Sequence, residues 1–270
     1  SAPADWYNRS VGSLAERWMR AVPTLKDVGM RTQLVANDLS SSDVGEIAEA
    51  LEETCMLAEQ AEPRAREVLS AAMPTLTDPA SDALVAQLRE SAQELGFLAL
   101  ARMLRRRSRP AAFPEPPPEP DQRHPGESRV GRALTLGERK ALARSRDRFM
   151  LDRLLRDPHP AVIRNVLSNT RITEDDVVRL AARRPAFPDV QLEIARHVRW
   201  SIRQRVRLAL VQNPFTPPSV SVPLLSLLVR PELDQVLAAT DVPAIVRGAA
   251  LDLLERRPPV PTPEDPPLTQ

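Results

Sequence analysis

The side chains that could do chemistry in this chain are three histidines, one cysteine, a short acidic run and a large set of arginines. His124, His159 and His197 each lack a second His, Cys or carboxylate at metal-ligand spacing, so no zinc or iron site is expected. The glycines stand alone, outside any GxxxxGK or GxGxxG pattern, and no serine occupies a nucleophile elbow. Cys55 lies in the apolar run Ala50-Leu51-Glu52-Glu53-Thr54-Cys55-Met56-Leu57 and reads as a packed thiol, with no second cysteine for an internal disulfide. Glu174-Asp175-Asp176 follows Thr173 at a helix start, where the helix dipole favours negative charge. These patterns point away from an enzyme and offer no catalytic residue, metal ligand or cofactor site.

The arginines are the better candidates. Lys26 and Lys140 are the only lysines, a bias read as GC-rich, bacterial codon usage. Ile163-Arg164, Val206-Arg207 and Val246-Arg247 repeat an apolar-then-arginine step at spacings of 43 and 40 residues. Stacked units would align Arg164, Arg207 and Arg247 in a row, thickened by Arg196, Arg199, Arg203 and Arg205 beside Trp200. Two readings follow: a row that binds an acidic protein partner, or an internal ladder with Asp157, Asp241 and nearby carboxylates. Trp200 reads as a core plug, and Phe149, Phe187 and Phe215 as packing between units. A second cluster, Arg102, Arg105, Arg106 and Arg107, reads as a phosphate or nucleic-acid patch, or as cations gathered at a negative helix C-terminus.

The elements that must position these residues read as helices. Thr135, Thr173 and Thr216 each precede an apolar periodic run, at spacings of 38 and 43, and threonine is a favoured N-cap. Thr135-Leu136-Gly137-Glu138 is a capping box. Between these marks the chain predicts three short helices per unit: 136–145, 147–156 and 160–168; then 174–184, 188–198 and 201–212; then 217–229, 231–240 and 243–256. Pro160, Pro188, Pro217, Pro231 and Pro243 fall at or near first helical positions, where a missing N–H costs nothing. A period of about 40–47 residues is that of two- or three-helix repeat arrays.

On these marks Leu134–Glu255 resembles HEAT/armadillo-like α-solenoids. Val211-Gln212-Asn213-Pro214-Phe215-Thr216-Pro217-Pro218 is similar to the Asn-Pro-x-Thr-Pro-Pro turn of leucine-rich-repeat-variant proteins. The resemblance implies an all-α repeat fold, and functions ranging from scaffolds and transport adaptors to a few nucleic-acid enzymes. It also implies an Asp six residues before the row arginine, paired along the stack. Asp241 to Arg247 keeps that spacing, Asp157 to Arg164 is one residue longer, and the middle unit has Ser201.

The rest of the chain agrees with an all-α class, because aromatics are 3% of residues and glycines number 8 of 270. Residues 5–107 predict an acidic helical bundle, its last helix running unbroken from Asp78 to Arg107. Residues 108–128, SRPAAFPEPPPEPDQRHPGES, predict an extended spacer, residues 129–257 a basic repeat domain, and 258–270 a Pro-rich tail. Residues 1–101 hold 8 Lys/Arg against 16 Asp/Glu, whereas residues 128–257 hold 23 against 14, so the two parts are complementary in charge. No run approaches the ~20 apolar residues of a membrane span. With no signal peptide read at the start, a cytoplasmic protein is expected. The expectation is a non-enzymatic scaffold or adaptor that binds an acidic protein through the basic repeat surface. The alternative is a nucleic-acid module that contacts phosphates through the repeat arginines. A third reading has the acidic part closing over the basic one.

Overall fold

A computed structural model of the chain describes residues 13–105 and 134–257. Among the described residues it contains sixteen α-helices and no strand. The first six are α1 (Leu14–Ala21), α2 (Val28–Ser41), α3 (Val44–Glu59), α4 (Pro63–Leu76), α5 (Asp82–Glu94) and α6 (Leu98–Met103). Their starts follow local chemistry, with Ser13, Asp27, Asp43 and Glu62 each accepting an otherwise orphaned N–H in the first turn. α3 is the axis of this group and packs on α1, α4, α5 and α6. It buries Ile47, Leu51, Cys55 and Ala58. Trp18 of α1 is fully buried, and its indole N–H donates to Asp38 at 2.8 Å, so the ring is packed without an orphaned donor.

The single long helix expected over 78–107 is broken. Gly96 takes φ +72°, a left-handed conformation that ends α5's course, and the Glu52 side chain then caps α6 by accepting from the N–H groups of Ala99 and Leu100. α2 starts at Val28 because Asp27 caps it, and Pro23 before it sits in a short 3₁₀ turn. Arg106, Arg107, the spacer 108–128 and the tail 258–270 lie outside the described residues.

The second group begins with α7 (Leu136–Leu142), α8 (Arg148–Leu154) and α9 (Pro160–Leu167). Next come α10 (Glu174–Ala182), α11 (Pro188–Arg196), α12 (Val198–Ser201) and α13 (Gln204–Gln212). The last three are α14 (Pro218–Leu225), α15 (Arg230–Ala238) and α16 (Ala244–Arg256). Thr135 forms the expected capping box, and Thr173, expected as an N-cap, also forms one with Asp176. Thr216 does not: α14 starts one residue later, with Pro217 as its cap residue. The two following prolines offer no N–H for the hydroxyl to accept, and Thr216 Oγ1 is buried without a partner among the described residues. Phe149, expected to pack between units, is 70% exposed, with Arg153 lying over its ring.

One tie recurs along this group. Asn169 donates through Nδ2 to the carbonyls of Ala143 and Ser145, just past α7, at 2.9 and 2.8 Å. Asn213 does the same to Ala181 and Arg183, at the end of α10, at 2.6 and 2.9 Å. Arg257 does it to Ser226 and Leu228, just past α14, at 3.2 and 2.6 Å. The three donors stand 44 residues apart at each step (169, 213, 257). Each satisfies two carbonyls that a helix C-terminus leaves open. Helix packing runs alongside the ties: α9 lies on α7 and α11, α10 on α13, α13 on α14 and α15, and α16 on both α14 and α15.

The apolar core is continuous across both groups. α4 packs on α11 and α12, and α2 packs on α12. Polar contacts border that seam, with Arg196 reaching Asp78 at 3.4 Å and Arg256 reaching Glu59 at 3.0 Å.

Candidate partner-binding surface

The residues of the expected arginine row meet three different environments. Arg164 is half exposed, yet its guanidinium is bidentate to Glu193 of α11, at 3.0 and 2.7 Å. Those hydrogen bonds raise its pKa, so it is cationic at every relevant pH. Glu193 is buried and also accepts from Arg196, which continues to Asp78 across the seam. Arg207 is partly buried at the seam, with Nε donating to the Ser201 carbonyl at 2.6 Å and Nη2 to Ser70 Oγ of α4. Arg247 is partly exposed and has no ion-pair partner among the described residues. Two members of the row are therefore held in internal contacts.

The Asp partners expected from the repeat resemblance are placed elsewhere. Asp157 is buried and pairs with Arg139 at 2.6 Å, while Asp241 pairs with Arg184 at 2.5 Å. A six-residue spacing brings an aspartate to the turn before a helix, and in this packing the nearest guanidinium comes from another helix. The carboxylate that Arg164 meets is Glu193, 29 residues further on.

Trp200 fills the core at 2% exposure, and its indole N–H donates to the Leu167 carbonyl at 2.8 Å, tying α12 to the end of α9. Above it the guanidinium carbon of Arg199 stands 4.2 Å from the ring centroid, a stacked cation–π contact, and Nη2 donates to the Ile172 carbonyl. Arg203 and Arg205 follow on the same stretch, and Arg199, Arg203 and Arg205 are all exposed. Their acidic neighbours belong to α10's first turn. Glu174 stands 3.9 Å from Arg203, and Asp175 stands 2.7 Å from Arg205. The Arg205 pair is solvent-exposed and the Arg203 contact is long, to a partly buried Glu174, so both are weak and the cations remain available to a competing carboxylate or phosphate. Trp200 thus supports a cationic surface from below.

The third acid of the triplet behaves differently. Asp176 is buried, accepts from Thr173 in the capping box, and is gripped by Arg148 at 2.5 and 2.7 Å and by Arg179 at 2.5 Å. The Arg148 hydrogen bond, with the Thr173 and Arg179 bonds behind it, holds its carboxyl well below the usual carboxylate range. The N-cap at Thr173 and the first-turn place of the triplet were legible; the reciprocal bond from Asp176 and the reach from α8 were not.

In the second basic cluster Arg102 is bidentate to buried Glu59, at 2.9 and 2.7 Å, and Arg256 binds the same carboxylate from α16. Arg105 is exposed beside them. Arg102 therefore serves a structural ion pair, and Arg105 alone of the described members faces solvent.

Ser168 Oγ and His197 Nε2 lie 3.3 Å apart, a nucleophile-and-base contact that sequence reading missed because 29 residues separate them. His197 Nδ1 is buried and has no partner among the described residues, so the group that would orient such a base is not supplied there. Burial, then the charge of Arg199, pushes the His197 pKa down to about 4, which leaves the ring neutral at pH 7. Among the described residues no cluster of three His, Cys, Asp or Glu is placed to hold a metal ion, and no helix is long and apolar enough to cross a membrane. The Cys55 thiol is fully buried and its pKa is raised by that burial, which disfavours the reactive thiolate. No family model matches this chain, and neither the curated proteins nor the solved structures give a match.

Proposed function

We propose that the protein is a non-enzymatic scaffold or adaptor, built on a short HEAT/armadillo-like stack in residues 134–257, that binds an acidic protein partner through basic surface on α12 and α13. The single observation that carries the binding half of this reading is the exposed trio Arg199, Arg203 and Arg205: Arg199 is stacked on buried Trp200, and Arg203 and Arg205 meet only the weak contacts with Glu174 and Asp175. The tie at residues 169, 213 and 257 supports the repeat stack, because a side-chain donor at the same 44-residue step closes a helix end in each unit. A partner's Asp or Glu side chains would replace Glu174 and Asp175 at the guanidiniums, and the Arg199–Trp200 stack would supply a rigid, partly apolar contact.

The test is capture from cell lysate by the full chain, with and without nuclease, followed by mass spectrometry. Protein prey that survives nuclease and is released by rising salt supports the reading. Prey that disappears with nuclease moves the same arginines onto phosphates and favours a nucleic-acid module.

A further inference from the structure

A cavity of about 300 Å³ lies on the seam between α2 and α4 on one side and α12 and α13 on the other. Arg31, Arg66 and Arg207 line it, with Ser70 between them, and Glu67 is the one carboxylate among the lining residues. Glu67 is already engaged by Arg31 at 3.2 Å, so the wall carries three cations against one anion. The donors are only partly used. Arg66 spends Nη2 on the Leu227 carbonyl at 2.5 Å, while its buried Nε has no partner among the described residues. Arg207 spends Nε on Ser201 and Nη2 on Ser70, which leaves Nη1 unspent. Behind this wall stand Arg230 and Arg257, and the buried Glu232 faces Arg66 and Arg207 as well as Arg257, with Glu59 also acting on Arg257.

Concentrating guanidiniums at a seam is unfavourable unless an anion joins them. The cost is visible in Arg207, whose pKa is pushed down to about 10, first by burial and then by the like charge of Arg66. The remaining wall is apolar, formed by Val28, Ala71 and Ile202. A volume of this size, at the small end of ligand cavities, admits an anionic head together with a compact organic group.

We infer that this cavity binds a small phosphate monoester, its dianionic head between Arg66 and Arg207 and its organic part against Val28, Ala71 and Ile202. Phosphate suits the site because two separate guanidiniums present N–H donors to one acceptor with several oxygens, and because the excess charge of the lining is two. Binding there joins α4 to α13, so occupancy stabilises the seam between the two helix groups. The site stands apart from the proposed partner-binding surface and does not depend on it.

The experiment is thermal unfolding and calorimetric titration of the full chain with phenyl phosphate and with inorganic phosphate, against chloride at matched ionic strength. A Tm rise of several degrees at millimolar phenyl phosphate, larger than with inorganic phosphate and absent with chloride, is expected. In Arg66→Gln/Arg207→Gln the rise should vanish, measured from the variant's own ligand-free Tm, which the lost bonds to Leu227, Ser201 and Ser70 lower. Ser70→Asp supplies a built-in carboxylate and should raise the ligand-free Tm and weaken phenyl phosphate binding at least tenfold. A response to phosphate no greater than to chloride, or full binding retained by either variant, overturns the assignment.

Discussion

Glu193 shows how much at the residue scale rests on one carboxylate. Buried and shared by Arg164 and Arg196, it holds two guanidiniums that would otherwise repel each other beside the seam. Glu193→Gln removes the charge while keeping the shape, and is expected to cost about 2–3 kcal/mol in denaturant unfolding, below the value for a fully buried pair because Arg164 is half exposed. His197 gives a pH signature. Its folded pKa of about 4 lies below the unfolded value of about 6.5, so the unfolded chain binds the extra proton between them. Stability is therefore complete above pH ~6.5 and declines as pH falls toward 4, by up to about 3 kcal/mol. His197→Gln should flatten that decline relative to wild type in melts run from pH 7 to pH 4.5; an unchanged slope would place its origin elsewhere. Some of this was readable beforehand. Trp200 as a core plug and Cys55 as a packed thiol follow from lone apolar residues in helical runs, and both are buried. Arginine partners were not readable, because spacing fixes the face a guanidinium leaves from, while its long flexible stem selects the carboxylate by packing.

At the scale of elements, caps and prolines were the legible signals. Thr135 and Thr173 sit where a hydroxyl meets an N–H, and Pro160 and Pro188 open α9 and α11. The 44-residue tie was hidden because its third member is an arginine where the first two are asparagines. Asparagine's amide and arginine's guanidinium share only the ability to donate twice. Asn213→Ala leaves the Arg183 carbonyl unpaired and the Ala181 carbonyl with only the longer bond from the Gln191 amide, and should cost about 2 kcal/mol. Arg257→Ala should do the same just past α14, for the Ser226 and Leu228 carbonyls. A loss below about 0.5 kcal/mol in both variants would remove the tie as an organising device. Gly96→Ala tests the break between α5 and α6. An added Cβ meets nothing within 4 Å, so the expected cost of about 1 kcal/mol is backbone strain at φ +72° alone.

For the whole molecule, the opposite charges of the two parts were plain in the sequence, and the structure brings oppositely charged groups together at Arg196–Asp78 and Arg256–Glu59. Which helices form the seam was not readable, since apolar faces on α2, α4, α11 and α12 look alike when each is viewed by itself. The seam holds Arg207, which turns part of the expected binding row inward and leaves Arg199, Arg203 and Arg205 as the cationic surface. Under the proposed function, this surface captures an acidic protein. That capture is tested most directly by comparing prey retained by the full chain and by Arg203→Glu/Arg205→Glu after nuclease treatment. Both side chains are solvent-exposed, so reversal should leave the melting temperature within about 2 °C of wild type. Nuclease-resistant prey should be retained by the wild type and lost from the variant. Identical prey from both proteins, or prey from the wild type that nuclease removes, would contradict the proposed function.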